Sequence, residues 1–164
     1  MTCLITKILV GVDGSVGSEK ALDYGLEIAD KFSASVLILN VFQLPPEVEY
    51  PPNMAQQIPS SGYSQGPMVY SPNLASVIMD FKKVHEAVLF KTLESAIKLK
   101  PNLKIASELK EGDVSSQIVE TAANGEFDLI VIGHRGDSKI KELFLGSTSE
   151  RVAHRAKCAV LIAK

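Results

Sequence analysis

Short apolar runs rich in β-branched residues, separated by stretches with helical periodicity, constrain the fold of this chain more than any other feature. Residues 129–132 (LIVI) form such a run, which is typical of a strand buried on both faces of a parallel sheet. Three further strands are predicted at residues 5–12, 35–42 and 158–163. Residues 103–109 alternate apolar and polar side chains, which is typical of a half-exposed edge strand. Because helical segments separate the strands, the strands should be parallel, with right-handed crossovers.

Four stretches with helical spacing of apolar residues alternate with these strands and cover residues 15–32, 73–100, 113–125 and 147–155. Ser15 or Ser18 is suited to cap the first of these helices. Gly25 lies inside that helix, where glycine costs about 1 kcal/mol relative to alanine, so we predict close packing on the sheet at this residue. Five strands and four helices in alternation predict a doubly wound α/β sandwich, and the chain length favours a single domain over residues 1–164.

Residues 43–72 differ from the rest of the chain because they hold seven of its eight prolines, mixed with Gly, Ser, Gln, Asn and Tyr. No amphipathic period persists there, so we predict a long exposed loop. A tolerated surface insertion is the favoured interpretation, since loops absorb insertions at little cost. The alternative is a lid or partner-docking segment that uses Tyr50, Tyr63 and Tyr70.

Composition and charge exclude several classes of protein. A formal net charge of −2 argues against a protein that binds the phosphate backbone of nucleic acids, because such proteins carry a basic face. No apolar run is long enough to span a bilayer, and the first run is interpreted as a core strand rather than a signal peptide. Cys3 and Cys158 fit no metal or redox spacing, and two lone thiols suit a reducing cytosol. We therefore expect a cytoplasmic protein without nucleic-acid or membrane partners.

The segment that follows residues 129–132 has the residue types of a cradle for an anion. Gly133, Gly136 and Gly146 allow the main chain to approach a ligand without interference from a Cβ atom. Ser147 and Glu150 have the spacing of a capping box, which predicts the start of a helix here. The unpaired N–H groups and the dipole of that helix would face an anion such as phosphate. The simpler alternative is that these glycines only close turns and cap the helix.

The spacing of these residues resembles a known signature. The pattern G-x2-G-x9-G-[ST], which begins at Gly133 and ends at Ser147, is similar to the nucleotide-binding motif of the universal stress protein family in its ATP-binding type. Residues 7–15 (KILVGVDGS) resemble the first strand and turn of that family, and residues 156–162 (AKCAVLI) resemble its last strand. Ala159 departs from the pattern, because the family commonly has proline there. Walker, dinucleotide-binding and kinase motifs are absent from the sequence.

The resemblance implies a fold, a ligand and a set of binding residues. The fold is a Rossmann-like sandwich of the adenine-nucleotide alpha hydrolase type, with strand order 3-2-1-4-5. The ligand is ATP, or else AMP or ADP, with Mg²⁺ carried by the phosphates. The implied binding residues lie at the ends of three strands, in the glycine loop and at the start of the last helix: Gly11, Val12, Asp13, Val41, Ile132, Gly133, Arg135, Gly136, Lys139, Gly146, Ser147, Thr148 and Ser149.

The same resemblance implies a role for each part of this set. Residues 11–13 would line the base and ribose, with the Asp13 carboxylate accepting a hydrogen bond from a ribose hydroxyl. Val41 and Ile132 would pack on the adenine, and residues 146–149 would hold the β- and γ-phosphates. Given the implied strand order, Asp13 and Gly133 would meet where that order reverses, which is where open parallel sheets bind their ligands.

The cations nearest to the phosphates are Arg135 and Lys139, although each is more often a solvated loop charge than a ligand. For catalysis, the loop offers only His134, Asp137 and Glu142 as candidate bases, with no second element to orient them. We therefore expect at most slow ATP hydrolysis.

The function implied by the resemblance is a dimeric regulatory switch of the stress response that binds an adenine nucleotide. The family implies a homodimer that pairs through the last strand, which begins at Cys158 and ends at Ala163. Two alternatives remain. One is an ATP-cleaving or adenylate-transferring enzyme of the related nucleotide-binding α/β group, and the other is a dimeric scaffold with an empty site.

Overall fold

The computed structural model describes residues 4–44, 73–134 and 146–164. Within these ranges the strands are β1 (Lys7–Gly11), β2 (Ser35–Phe42), β3 (Ile105–Glu111), β4 (Leu129–Gly133) and β5 (Ala159–Ala163). The helices are α1 (Val16–Phe32), α2 (Asn73–Leu99), α3 (Val114–Asn124) and α4 (Ser147–Arg155). All neighbouring strands are parallel, and their order in the sheet is β3-β2-β1-β4-β5. The predicted doubly wound fold and its strand order are therefore confirmed.

The third strand shows the largest difference from the predicted boundaries. The alternating pattern predicts residues 103–109, whereas β3 begins two residues later. Leu103 instead closes a turn after α2, with its N–H donating to the Lys100 carbonyl oxygen (3.2 Å). At its other end β3 extends to Glu111, because residues 109–111 continue to pair with β2. The strand lies at the edge of the sheet, as its half-exposed pattern predicts. Residues 45–72 of the predicted loop lie outside the described residues.

Helices cover both faces of the sheet, which explains why the central strands are continuous apolar runs. On β1, Ile8 and Val10 pack with side chains of α1 and α2, whereas Leu9 packs with side chains of α3 and α4. All three β1 residues are 0% exposed. The strand order reverses at β1, so the residues that follow β1 and β4 meet at one edge of the sheet, between the two helix layers. No described helix combines the length and the apolar composition that crossing a membrane requires.

The close packing predicted at Gly25 is confirmed. A Cβ atom on Gly25 would lie 2.6 Å from Cγ2 of Val10, which is 0% exposed in the centre of the sheet. Valine is stiff at χ1, so this methyl group has little freedom to move aside. The glycine therefore sets how closely α1 approaches β1.

We predict that Gly25→Ala lowers the free energy of unfolding by about 1 kcal/mol, because overpacking costs roughly 1–3 kcal/mol and the gain in helix propensity returns only about 1 kcal/mol. The measurement is urea denaturation of the purified variants.

Val10→Ala provides the matched background for this substitution. It removes the clashing Cγ2 methyl group and leaves a Cβ–Cβ separation of 3.9 Å, an ordinary contact. In that background Gly25→Ala should raise the free energy of unfolding. A stabilising effect of Gly25→Ala on the parent protein would contradict this account of α1 packing.

Candidate functional site

A cavity of about 190 Å³ opens at the edge of the sheet where the strand order reverses. Its lining residues come from β2, from the ends of β1 and β4, from the loop after β1, and from the starts of α1, α3 and α4: Gly11, Val12, Asp13, Ser15, Ser18, Leu39, Val41, Val114, Ile118, Ile132, Gly133, Thr148 and Ser149. Such an edge is where doubly wound proteins bind ligands. The structure therefore brings most of the predicted binding residues around one space.

The remaining predicted residues divide into two groups. Gly146 and Ser147 lie at the start of α4, directly before the lining residue Thr148. Arg135, Gly136 and Lys139 lie outside the described residues, as do Asp137 and Glu142.

Sequence reasoning missed several residues that line the cavity, namely Ser15, Ser18, Leu39, Val114 and Ile118. Periodicity contained a signal for some of them. Leu39 lies two residues before Val41 and so shares its face of β2. Val114 and Ile118 are four residues apart on α3, and side chains at that spacing lie on one face of a helix.

Gly11 keeps the cavity open on the side of the sheet. A Cβ atom at this position would lie 3.0 Å from Cγ2 of Ile132 and 3.5 Å from Cδ1 of Ile118, and both of these residues line the cavity. The missing side chain therefore leaves space between β1, β4 and α3.

Gly133 at the end of β4 packs closely against the first turn of α1. A Cβ atom there would lie 2.6 Å from the carbonyl carbon and 2.7 Å from the carbonyl oxygen of Gly17 in α1. The missing side chain therefore allows β4 to approach the first turn of α1. Gly133 also lines the cavity, so its part in the approach of a ligand stays a prediction.

The loop after β1 fixes the Asp13 carboxylate at the mouth of the cavity. Oδ1 of Asp13 accepts hydrogen bonds from the backbone N–H (2.9 Å) and the hydroxyl (2.5 Å) of Ser15. Ser15 in turn caps α1 by accepting from the N–H of Ser18, which settles the choice between the two predicted caps. Asp13 itself is exposed, so its carboxylate is held in place and open to solvent.

The predicted capping box at the start of α4 is wrong. Gly146 occupies the N-cap position, and no side chain of the described residues makes a cap hydrogen bond there. Ser147 is already the first helical residue, because the chain enters the helix one residue earlier than the Ser-x-x-Glu spacing indicates. An N-terminus without a side-chain cap leaves N–H groups of the first turn to other acceptors.

Ser149 ties α4 to the end of β4. Its hydroxyl donates to the carbonyl oxygen of Gly133 (2.8 Å), with the His134 carbonyl at 3.3 Å, and the residue is only 3% exposed. The hydroxyl proton of Ser149 is thus used within the protein. The residues of α4 that line the cavity are Thr148 and Ser149.

The backbone of His134 joins three elements at the edge of the site. Its N–H donates to the Ala163 carbonyl oxygen of β5 (2.7 Å), and its carbonyl oxygen accepts from the Gly146 N–H (2.9 Å). The side-chain Nδ1 is buried and has no hydrogen-bond partner in the part of the chain that the structure describes. No described group therefore orients the imidazole as a general base would require.

The start of α3, which supplies Val114 and Ile118 to the cavity, is fixed by a charged cap. Oδ1 of Asp113 accepts from the Ser116 N–H (2.9 Å), the Ser116 hydroxyl (2.7 Å) and the Ser115 hydroxyl (2.8 Å). These hydrogen bonds, led by that of the Ser116 hydroxyl, lower the pKa of Asp113 to about 2. Arg151 of α4 lies 3.7 Å from Oδ2 and adds a weak attraction between the two helices.

The fold is of the doubly wound α/β class, and the cavity lies at the edge of the sheet where proteins of this class commonly bind ligands. Residues 5–164 match the sequence profile of the universal stress protein family, and the chain belongs to that family.

Individual relatives agree with this assignment. The chain is 32% identical over 161 residues to Universal stress protein MJ0531 of Methanocaldococcus jannaschii. The matched region covers 98% of this chain and 83% of that protein. Its fold is similar to that of UspA from Lactobacillus plantarum, with a TM-score of 0.72, 22% identity and 98% of each chain covered. It is also similar to a universal stress protein solved in complex with cAMP, with a TM-score of 0.67, 25% identity and 98% of each chain covered.

We predict that Asp113→Ala lowers the free energy of unfolding near neutral pH by about 0.5–2 kcal/mol, the usual effect of losing an N-cap. Because the pKa of Asp113 is lower in the folded protein, its stabilising contribution is present above the ordinary value of 3.8 and is lost as the pH falls through about 2. The difference between the parent and the variant should therefore shrink in acid, as measured by chemical denaturation at several pH values.

Asp113→Asn is the control for charge, because asparagine still provides a capping oxygen. Its stability near neutral pH should lie between those of the parent and Asp113→Ala and should change less with pH than that of the parent, because the amide keeps the capping oxygen and lacks the charge. A gap between the parent and Asp113→Ala that stays constant down to the acid limit would contradict the proposed cap.

Proposed function

We propose that this protein binds an adenine nucleotide, ATP or one of its products ADP and AMP, at the switch-point cavity. The observation that carries the proposal is a largely apolar cavity next to the N-terminus of α4, where the part of the chain that the structure describes provides no side-chain cap. A flat heteroaromatic base suits the apolar cavity, and phosphate suits the N-terminus of α4. The bound state would serve as a regulatory switch in the stress response.

The base and the sugar occupy the cavity itself in this proposal. Val41 and Ile132 pack against the adenine, together with the apolar side chains of Leu39, Val114 and Ile118. The volume of about 190 Å³ is below the roughly 300–1,000 Å³ of pockets that enclose a whole drug-sized ligand. The cavity is thus matched to the base and part of the ribose, with the Asp13 carboxylate accepting from a ribose hydroxyl.

The phosphates extend from the cavity to the start of α4. Backbone N–H groups in the first turn, at Ser147 to Ser149, and the hydroxyl of Thr148 donate to the phosphate oxygens. Each hydrogen bond to a charged group contributes about 1.5–3 kcal/mol, and the helix dipole adds about 0.3–1 kcal/mol. Three or four such bonds are enough for a micromolar ligand, which requires about 8 kcal/mol. Gly136, Arg135 and Lys139 remain predicted members of the phosphate site.

A magnesium ion, if present, is held by the phosphates in this proposal. The described residues contain no group of three or more His, Cys, Asp or Glu side chains arranged to hold a metal. Mg²⁺ commonly binds through substrate phosphates and water with only one or two protein ligands.

The complex of a related universal stress protein with cAMP supports an adenine nucleotide as the ligand class. That protein is 25% identical to this chain over 98% of both chains. We propose that the protein hydrolyses ATP slowly at most, since Nδ1 of His134 has no orienting partner among the described residues. The cytoplasmic location expected from the sequence is also retained.

We propose in addition that the protein is a homodimer that pairs through β5. This strand lies at the edge of the sheet, and Val160, Leu161 and Ile162 are only partly buried. An open strand edge carries unpaired backbone groups that favour pairing with a second strand. Light scattering coupled to gel filtration should give twice the monomer mass of 17.7 kDa. A monomer at all concentrations would remove this part of the proposal.

We predict that Asp13→Ala weakens the affinity for ATP, measured by isothermal titration calorimetry with magnesium present, by about ten- to hundredfold, because one hydrogen bond to a charged group is lost. A control is Asp128→Ala at the opposite edge of the sheet. There the carboxylate accepts from the N–H groups of Thr6 (2.7 Å) and Lys7 (2.9 Å).

The control should lower the free energy of unfolding and leave the dissociation constant unchanged. Nucleotide binding at this site is contradicted if the parent protein shows neither binding heat nor a rise in melting temperature with ATP, ADP or AMP. Equal losses of affinity in the two variants would contradict the role of Asp13.

A further inference from the structure

Helix α2 reaches the loop that carries Asp13 through two side chains outside the proposed binding set. Asn40 of β2 is 0% exposed, and its Nδ2 donates to the carbonyl oxygen of Val12 (2.9 Å). Its Oδ1 lies 2.8 Å from Nδ1 of His85 in α2. The contacts that start on α2 thus end on the peptide group that joins Val12 to Asp13.

The hydrogen-bonding roles in this chain of contacts follow from the amide of Asn40. Because Nδ2 donates to a carbonyl, Oδ1 is the acceptor, and Nδ1 of His85 must carry the proton. Burial lowers the pKa of His85, and the Asp13 carboxylate opposes this shift, so the neutral ring is favoured. The ring is stacked on Phe42, with centroids 5.4 Å apart and planes at 28°, which holds the N–H in its direction.

Val12 is held by β2 at both of its backbone polar groups. Its N–H donates to the Leu39 carbonyl oxygen (2.9 Å), and its carbonyl oxygen accepts from Asn40. Peptide units are planar and trans, so the N–H of Asp13 points opposite to the Val12 carbonyl and away from Asn40. The Asn40 amide therefore determines the direction of the first N–H at the mouth of the cavity.

A second contact from α2 supports the same loop. Gly14 adopts a φ of +84°, which glycine tolerates, and a Cβ atom there would lie 3.2 Å from Cγ1 of Val88. Val88 follows His85 by three residues, so both lie on one face of α2. The loop is thus linked to His85 of α2 through Asn40, and at Gly14 it lies close to Val88 of the same helix.

A fully buried amide in this strand position has no advantage for packing. The neighbouring positions on the same face of β2, Val36 and Ile38, belong to the apolar cluster formed with α1 and α2. An apolar residue at position 40 would avoid the cost of burying a polar group. The amide contributes a defined geometry at the end of β1.

We propose that Asn40 and His85 are positioning residues for the nucleotide site, through which α2 sets the orientation of residues 12–15 from the opposite face of the sheet. The consequence for affinity rests on the proposed nucleotide binding. The orientation of the loop is a property of the protein alone and can be tested without a ligand.

The first test compares three α2 variants for ATP affinity and for unfolding free energy. His85→Phe keeps an aromatic ring against Phe42 and removes the donor, whereas His85→Gln keeps a side-chain N–H. Thr92→Val is the control, since the Thr92 hydroxyl donates within α2 to the Val88 carbonyl oxygen (2.8 Å). We expect about three- to tenfold weaker binding for His85→Phe, as for the loss of one hydrogen bond.

We expect at least partial recovery of affinity in His85→Gln and no change in Thr92→Val. If His85 were only structural, the variants would lose stability while the folded protein kept its dissociation constant. That outcome would overturn the proposal.

The second test needs no nucleotide. Hydrogen exchange, followed by NMR, reports on the Val12 and Ser15 amides, whose N–H groups bond to Leu39 and Asp13. His85→Phe and Asn40→Leu should speed exchange at these two amides severalfold, and Thr92→Val should not.

The two tests separate the two proposals. A parent protein that binds no adenine nucleotide but shows this exchange pattern would refute the proposed function and leave the positioning role standing. Unchanged exchange in His85→Phe would overturn the positioning role even if ATP binds. Because His85→Phe alters only one partly exposed residue, it decides the question even if Asn40→Leu fails to fold.

Discussion

The parallel pairing of β1 with β4 is the constraint on which the rest of the site depends. In this register Gly11 lies beside Ile132, and the loop residues that follow each strand emerge at the same edge. The absence of a side chain on Gly11 leaves space next to Ile132, which becomes the side of the cavity formed by the sheet. Because β1 pairs with β2 on its other side, Leu39 and Val41 complete the apolar wall. One register thus places three strand ends around one space.

Helix α1 maintains this arrangement by lying close to the sheet at two places. Near its middle, Gly25 allows contact with Val10, and at its first turn Gly133 allows contact with Gly17. In the first contact the residue without a side chain is Gly25 of the helix, and in the second contact Gly133 of β4 meets Gly17 of the helix. The close approach brings the start of α1, with Ser15 and Ser18, to the cavity. Packing on one face of the sheet therefore determines the shape of a site at its edge.

Features that depend on local pattern were predictable from the sequence. The strand at Ser35–Phe42 and the helices agree with expectation, because apolar runs and helical periods report directly on burial. The strand order agrees as well, but it was implied by the family resemblance and not by any local pattern. The close contact at Gly25 also followed from the cost of glycine in a helix. The start of β3 was misplaced, since Leu103 continues the alternating pattern although it belongs to a turn.

Features that depend on tertiary geometry were not predictable in the same way. The capping box failed because spacing alone does not determine which residue takes the extended N-cap conformation, and Gly146 took it. The close contact of Gly133 with the backbone of Gly17 in α1 is visible only in three dimensions. The contact between Asn40 and His85 joins residues 45 positions apart. Nothing in either local pattern connects them.

The location of binding is the central claim, and a titration of the ¹⁵N-labelled protein with ATP and magnesium, followed by NMR, tests it most directly. We predict that the largest amide shifts fall on Gly11 to Asp13, on Val41, on Ile132 and Gly133, and on Ser147 to Ser149, while the amino edge of the sheet around Thr6 and Asp128 stays unchanged. The absence of saturable shifts, or their concentration away from the carboxyl ends of β1 and β4, would contradict the account.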